Sequence, residues 1–448
     1  MINPTAQQVL SDGPLRLTHR RVLNVAIPIV ISNATIPILG AVDTGVVGQL
    51  GVAAPIGAVG IGAIILTAIY WVFGFLRMGT AGLTAQAIGA KNQGEVCALL
   101  VRGLMIGLAG GLAFILLQVP IFWAAFQLAP ASDEVEGLAR TYLQIRVWSA
   151  PAAIAIYGLT GWLVAHERTK AILVLQLWMN GLNILLDLLF VLQLGWGVEG
   201  VATATVIAEI SGLGLGLWLV RDGFKGDYWR NWAVVFDRVI LRRMASVNTD
   251  IMIRSILLEI GFVSFLFLGS SFDDTTLAAN QVLIQFLFIT AHGMDGFAFA
   301  AEALIGQALG AKDRSSLRRS VLLTSFWAAV VIIILSAFFA LCGGWLIDLM
   351  AKAPEVQTAA REYLFWMVLA PFLGGPSWML DGIFIGATRS RDMRNMMALS
   401  FGIYWLSVWL LLDPFGNHGL WASLIIFFVA RGATLAARYP ALERAAEE

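Results

Sequence analysis

The fold class the sequence predicts is an all-α integral membrane protein, with about 12 transmembrane helices in two parallel six-helix repeats. Three observations carry that expectation. The composition is 59% hydrophobic and 13% charged, with a mean hydropathy of +0.80, whereas soluble domains hold roughly 25% charged residues. Apolar windows of about 20 residues, the length that crosses a bilayer, recur at about 22–47, 53–76, 97–119, 138–163, 170–192, 198–220, 244–268, 277–305, 320–347, 361–386, 394–412 and 418–437. Finally, Gln86-Ala-Ile-Gly-Ala-Lys91 returns as Gln307-Ala-Leu-Gly-Ala-Lys312, 221 residues later in a chain of 448. A repeat at half the chain length marks a duplication.

The elements divide around a linker. Residues 1–220 form an N-lobe with spans 1–6, 221–243 a linker, and 244–448 a C-lobe with spans 7–12 and a short tail. An even number of spans per repeat leaves the repeats parallel, related by an axis along the membrane normal. Gly40 and Gly48 fall opposite Gly261 and Gly269 at the repeat offset. The linker is charged and aromatic (Asp227-Tyr-Trp-Arg-Asn-Trp232) and suits the membrane surface. Basic residues gather in alternate connections. Arg16, Arg20, Arg21, Lys91, Arg102, Arg168, the linker, Lys312, Arg314, Arg389, Arg394 and Arg431 fall on one side, and Asp133, Glu134, Glu199, Asp273 and Asp274 on the other. The positive-inside rule then places both termini in the cytoplasm of a multi-pass inner-membrane protein. No small-residue cleavage site precedes the first span, so no signal peptide is expected.

Several chemistries are excluded. No GxxxxGK[ST] loop offers an ATP engine, and no GxSxG or HExxH offers a hydrolytic centre. Cys97 and Cys342 fall near opposite faces, and no Cys/His spacing suits zinc. The basic runs are short and sit at span ends, which argues against nucleic acid. No cofactor, metal or enzymatic activity is expected. A duplicated membrane chain without a nucleotide site is first a candidate secondary transporter, driven by an ion gradient.

Ionisable groups inside spans cost about 2.5–3.5 kcal/mol each, so they face a cavity or a partner. Asp43 stands in span 1 among apolar residues, with no base within helical reach. Burial disfavours a charged carboxylate, which suits reversible protonation. Pro28 and Pro37 interrupt the same helix and allow a bend. Asn183 and Asp187 share a face of span 5 at i, i+4, and Thr203 and Thr205 in span 6 are candidates for the same site. The bland alternative for each is a hydrogen bond between helices. In the second half, Asp250 and Arg254 have the spacing of an ion pair, while Glu259, Asp295, Glu302 and Asp381 are candidates to bind a cation or proton.

The order and spacing of these segments resemble the multidrug and toxic compound extrusion (MATE) family. The likeness runs through Pro28-x-x-x-Ser32-Asn33, Val42-Asp43-Thr44, Gly48-x-Leu-Gly51, Gln86-Ala-Ile-Gly-Ala-Lys91, Asn183-Ile-Leu-Leu-Asp187 and Gly197-Val-Glu-Gly-Val-Ala202. Met294-Asp-Gly-Phe-Ala298 and Asp381-Gly-Ile-Phe-Ile-Gly-Ala-Thr-Arg389 resemble its DNA-damage-inducible (DinF) branch. The resemblance implies two six-helix lobes around a V-shaped cleft, and antiport of a drug or metabolite against a proton or sodium ion. It implies that Asp43 is the coupling group, that Pro28 is the kink, and that Asn183, Asp187, Thr205 and Tyr142 form the surrounding network. Glu259 and Asp381 match the carboxylates of sodium-coupled relatives, with Asp295 a further candidate for a second cation site. Ser377 stands where those relatives carry a tyrosine, and Tyr157 and Thr160 replace amides in span 4.

The expectation is a multidrug efflux antiporter that works as a monomer in the bilayer. It exports amphipathic, often cationic compounds by alternating access, with proton coupling ahead of sodium. The alternatives are a lipid-linked precursor flippase, which needs a strongly cationic cavity, and a membrane-embedded enzyme.

Overall fold

The computed structural model describes residues 17–49, 52–128 and 132–447. Arg16 of the basic set and Leu50 and Gly51 of the resemblance lie outside them. Among the described residues 11 helical runs are long and apolar enough to cross a membrane, and no strand occurs. They are α1 His19–Gly48, α2 Ala54–Gly89, α3 Gln93–Leu116, α4 Asp133–Ala165, α5 Thr169–Gln193, α6 Gly197–Leu219, α7 Arg238–Gly269, α8 Asp274–Gly310, α9 Arg314–Met350, α10 Pro354–Gly386 and a last run, Ser390–Arg444.

That last run is two helices. Ser400 Oγ lies 3.3 Å from Thr434 Oγ1, although a straight helix rising about 1.5 Å per residue would hold them about 50 Å apart. The chain reverses at Gly416, whose φ of 54° and ψ of −131° are open only to glycine. Past the turn, Gly419 comes so close to Leu411 that an added Cβ would overlap its carbonyl. With α11 as 390–415 and α12 as 417–444, the spans number twelve, six in each half.

Several helices overrun their apolar windows. α2 continues past residue 76 to Gly89, and α10 begins at Pro354 rather than near 361. In α2 the added turns are buried from Gly79 to Ala85 against other helices, so small and polar residues replace lipid-facing ones. α7 likewise begins at Arg238, inside the expected linker. The linker is pinned from beneath. Arg102 of α3, only 2% exposed, donates Nε to the Val235 carbonyl at 2.7 Å and Nη1 to Glu95 at 2.6 Å. Arg102 is therefore a buried clamp and not a surface charge.

Four short turns close the end of the bundle that carries the basic loops. Lys91, Glu167, Lys312 and Thr388 all sit at positive φ, between 50° and 56°. Each ends a helix with the same pair of backbone bonds, as in Asn92 N to Ala87 O and Asp313 N to Ala308 O, both within 3.0 Å. Lys91 with Lys312, and Glu167 with Thr388, are 221 residues apart. The repeat offset thus holds through the turns that set how helices enter the bundle.

The halves exchange their leading helices at this end. The first half of α1 packs with α8, α9 and α10 of the second repeat through Val22, Val25 and Ala26. At the start of α7, Met244 joins the core of the first half, and Asn248 abuts Gly79 of α2.

Candidate functional site

The first half gathers a polar cluster from five helices. α5 presents Asn183 and Asp187 on one face. Asn183 Nδ2 donates to Asp187 Oδ2 at 3.4 Å and to Thr205 Oγ1 of α6 at 3.3 Å. Thr205 turns its own hydroxyl to the Val201 carbonyl at 3.0 Å. Asp43 of α1 faces Asp187 within hydrogen-bonding reach. Two carboxyl groups in such contact disfavour a second negative charge, because like charges at that range repel. One oxygen of each, Asp43 Oδ1 and Asp187 Oδ1, is buried without a partner. Directly after Asp187, α5 widens into a π-helical turn at Leu188–Gln193, a distortion frequent at functional sites.

Tyr142 of α4 lies beside Arg146 and within electrostatic reach of Asp43, and its ring fills the space above Gly62 of α2. One helical turn on, Arg146 donates Nη1 to Glu209 Oε2 of α6 at 2.8 Å and Nη2 to Glu209 Oε1 at 3.2 Å. This bidentate pair was not among the expected site residues. Its signal was present in the sequence: Glu209 stands in an apolar span between Ala208 and Ile210. The five expected members Asp43, Asp187, Asn183, Thr205 and Tyr142 do come together.

α1 stays helical through Pro28 and Pro37. Proline at position 28 cannot bond the Asn24 carbonyl, and that carbonyl instead accepts from Thr169 Oγ1 of α5 at 3.3 Å. The break in the ladder is therefore covered by the helix that carries Asp187.

The repeated phrase forms a reciprocal contact between the halves. Gly89 packs on the Gln307 carbonyl and Gly310 on the Gln86 carbonyl, each without room for a Cβ. Gln86 Nε2 donates to Thr388 Oγ1 at 2.9 Å and the Gly386 carbonyl at 3.3 Å, and Gln307 Nε2 donates to the Ala165 carbonyl at 2.9 Å. Arg243 bonds Gln86 Oε1 at 3.0 Å and Arg21 bonds Gln307 Oε1 at 3.2 Å. Deeper in, Arg77 of α2 grips Glu302 of α8 at 2.8 and 3.1 Å. Asn33 of α1 donates to Asp295 of α8 at 3.1 Å. All these contacts fall in the basic-end halves of the helices, so this end is closed.

The second half arranges its charges differently. Asp381 Oδ2 accepts from both Arg254 Nη2 and Arg431 Nη2, the latter at 2.6 Å. Asp250 bonds Arg394 at 2.6 Å and Ser390 at 2.9 Å. The expected Asp250 to Arg254 pair does not form; each residue is paired instead with a residue of another helix. Arg431, expected among the surface bases, is 1% exposed. Asp295, Glu259 and Asp381 do not gather into one site. Glu259 has no hydrogen-bond or ion-pair partner among the described residues and borders a hollow of about 380 Å³ with Val263, Phe267 and Trp405. A second cavity, of about 350 Å³ between α9, α10 and α12, is apolar. Among the described residues no group of three or more His, Cys, Asp or Glu side chains gathers as a metal site.

Comparison with known proteins fits this geometry. The MatE family model matches residues 28–189 and 251–409. The DNA damage-inducible protein F of Escherichia coli (strain K12) is 39% identical over 429 residues, covering 94% of this chain and 92% of that protein. A probable multidrug resistance protein NorM of Synechococcus sp. is 25% identical over 422 residues, covering 88% of this chain and 86% of its own. Among solved structures, the Vibrio cholerae MATE transporter VcmN in the bent form superposes with a TM-score of 0.86 at 20% identity, over 99% of each chain.

Proposed function

The chain belongs to the MatE family, and from that premise we propose that this multidrug efflux transporter is an antiporter, which exports amphipathic organic cations in exchange for protons. The observation that carries the proposal is the Asp43 and Asp187 carboxyl pair across α1 and α5. A shared proton on that pair joins the two helices, and its loss leaves two like charges that push them apart. The basic end is cytoplasmic, with both termini there, and the closed clamp of the repeated phrase represents a state open to the opposite side. A proton from that side binds the pair, α1 bends at Pro28, and cargo leaves. The proton departs to the cytoplasm from the other state. Coupling requires that proton and cargo favour different states or compete for one site. The transporter sits in the cytoplasmic membrane and a monomer suffices.

A flippase for an anionic lipid-linked precursor needs free cationic groups. Arg77, Arg146 and Arg254 are each paired with a carboxylate, which supports the antiporter. The test is ethidium transport in proteoliposomes under an imposed pH gradient without sodium, with wild type beside Asp43→Asn. Transport by the wild type alone is expected. Transport that needs a sodium gradient overturns the proton assignment, and no transport under either gradient overturns the cargo class.

A further inference from the structure

The exchange just described leaves the Arg146 and Glu209 pair without a role. Tyr70 of α2 and Tyr142 and Tyr157 of α4 all lie within electrostatic reach of Glu209. Aromatic faces beside a carboxylate suit an organic cation, which gains both ion pairing and cation–π contact. Yet Arg146 occupies that carboxylate in this conformation, with side chains 8% and 14% exposed. Arg146 has a second acidic neighbour. Its charge also acts on Asp43, and Tyr142 beside it is within electrostatic reach of the same aspartate. The groups around the aspartate pair are Tyr142 and Arg146 from α4, Asn183 from α5 and, through Asn183, Thr205 from α6; beyond Arg146 lie Glu209 of α6, bonded to it, and Tyr70 of α2, within its electrostatic reach. Arg146 is the base among them, so it is the residue able to answer a second negative charge on that pair. The Nε of Arg146 and the hydroxyl of Tyr70 are buried without partners, so the present bonds do not exhaust the site.

We propose that Arg146 is a movable counter-charge and Glu209 the carboxylate that receives the cargo. Arg146 rests on Glu209 while the aspartate pair holds its proton. It turns to the pair when that proton leaves, and Glu209 opens to an organic cation. The site then carries the same net charge in both states, with a proton on the aspartates in one and a cargo cation on Glu209 in the other. One proton is thereby exchanged for one monovalent cation. This inference rests on the antiport reading and assigns its cargo site.

The experiment measures tetraphenylphosphonium binding to the purified full-length chain at acidic and alkaline pH. Wild type is expected to bind at alkaline pH and to lose most of that affinity at acidic pH. Glu209→Gln is expected to weaken alkaline binding roughly tenfold, within the usual range of coupling between sites. Arg146→Gln, which leaves Glu209 permanently open, is expected to bind equally well at both pH values. The double variant R146Q/E209Q leaves no lone buried charge and so keeps the fold; it is expected to bind as weakly as Glu209→Gln. Wild-type affinity and pH dependence in Glu209→Gln or in the double variant, or wild-type acid loss in Arg146→Gln, overturns the inference. If those results come with Asp43-dependent exchange intact, the antiport reading stands and only this inference falls. If wild type binds no tetraphenylphosphonium at either pH, the cargo class fails and takes this inference with it.

Discussion

The two halves share a frame and differ in chemistry at matching positions. At the repeat offset, Asp43 corresponds to Ser264, Asn183 to Tyr404 and Asp187 to Val408. In the first half these residues place two carboxyl groups in contact. In the second half they place the Ser264 hydroxyl 3.1 Å from the Tyr404 hydroxyl. The contact between the leading helix and its partner is therefore retained, but one version is built from two carboxyl groups and the other from two hydroxyls. The second half keeps its buried carboxylates, Asp250 and Asp381, under arginine. Duplication preserved what closes the basic end and relaxed what lies at the centre of each half.

The largest expected effect tests that contrast directly. Asp43→Asn is expected to reduce pH-driven ethidium transport roughly a hundredfold, near the upper range of site coupling. Ser264→Ala, which loses only a hydroxyl bond of about 1 kcal/mol, is expected to leave transport within about twofold of wild type. Equal losses from both would erase the distinction between the halves.

Next comes stability. Asp381→Asn leaves Arg254 and Arg431 buried without their carboxylate, and thermal melts should report a loss of about 3–5 kcal/mol. Glu259→Gln removes a carboxylate with no partner among the described residues, and should change stability by less than about 0.5 kcal/mol. A large loss at Glu259 would show that the second half uses an unpaired charge after all.

The clamp is the region where the halves should behave alike. Gly89→Ala and Gly310→Ala each force a methyl into the opposite carbonyl, a strain of about 1–3 kcal/mol confined to the closed basic end. Both variants should speed thiol labelling of Thr388→Cys in a background lacking Cys97 and Cys342. If only one of them does so, the contact is not reciprocal in function.

The smallest effect sharpens the comparison at equivalent helix caps. Asn92 caps α3 by accepting from the Glu95 amide at 3.1 Å. Asp313, 221 residues on, caps α9 and accepts from the Ser316 hydroxyl at 2.6 Å and amide at 3.0 Å. The Ser316 hydroxyl and amide hold the Asp313 carboxyl below the usual carboxylate range. A lowered folded value means the cap stabilises fully above the unfolded pKa of about 3.9 and fades as pH falls through the lowered value. Asp313→Asn should flatten the acid limb of thermal stability by about 0.5 kcal/mol, while Asn92→Asp should steepen it. No change in either limb would mean that neither cap is formed when those turns melt.

Much of the architecture was legible along the chain. Hydropathy located the spans, because a backbone in lipid must satisfy its own hydrogen bonds within each helix. The repeated phrase revealed the duplication, and Asp43 with Asn183 and Asp187 stood out because carboxylates are costly in apolar surroundings. Helix ends were less legible. α2 and α8 run on into the clamp, where other helices rather than lipid set the composition.

What the sequence determined by itself was therefore the number of spans, their pairing into two repeats and the identity of the unusual buried charges. The tertiary structure alone decided which charges meet. Asp250 and Arg254 share a helical face at the spacing of an ion pair, yet one is taken by Arg394 and the other by Asp381. Arg146 reaches Glu209 across 63 residues, and Gln307 reaches Ala165 across 142. Periodicity fixes the direction a side chain points from its own axis. What waits there depends on how another helix packs, and no local spacing records that.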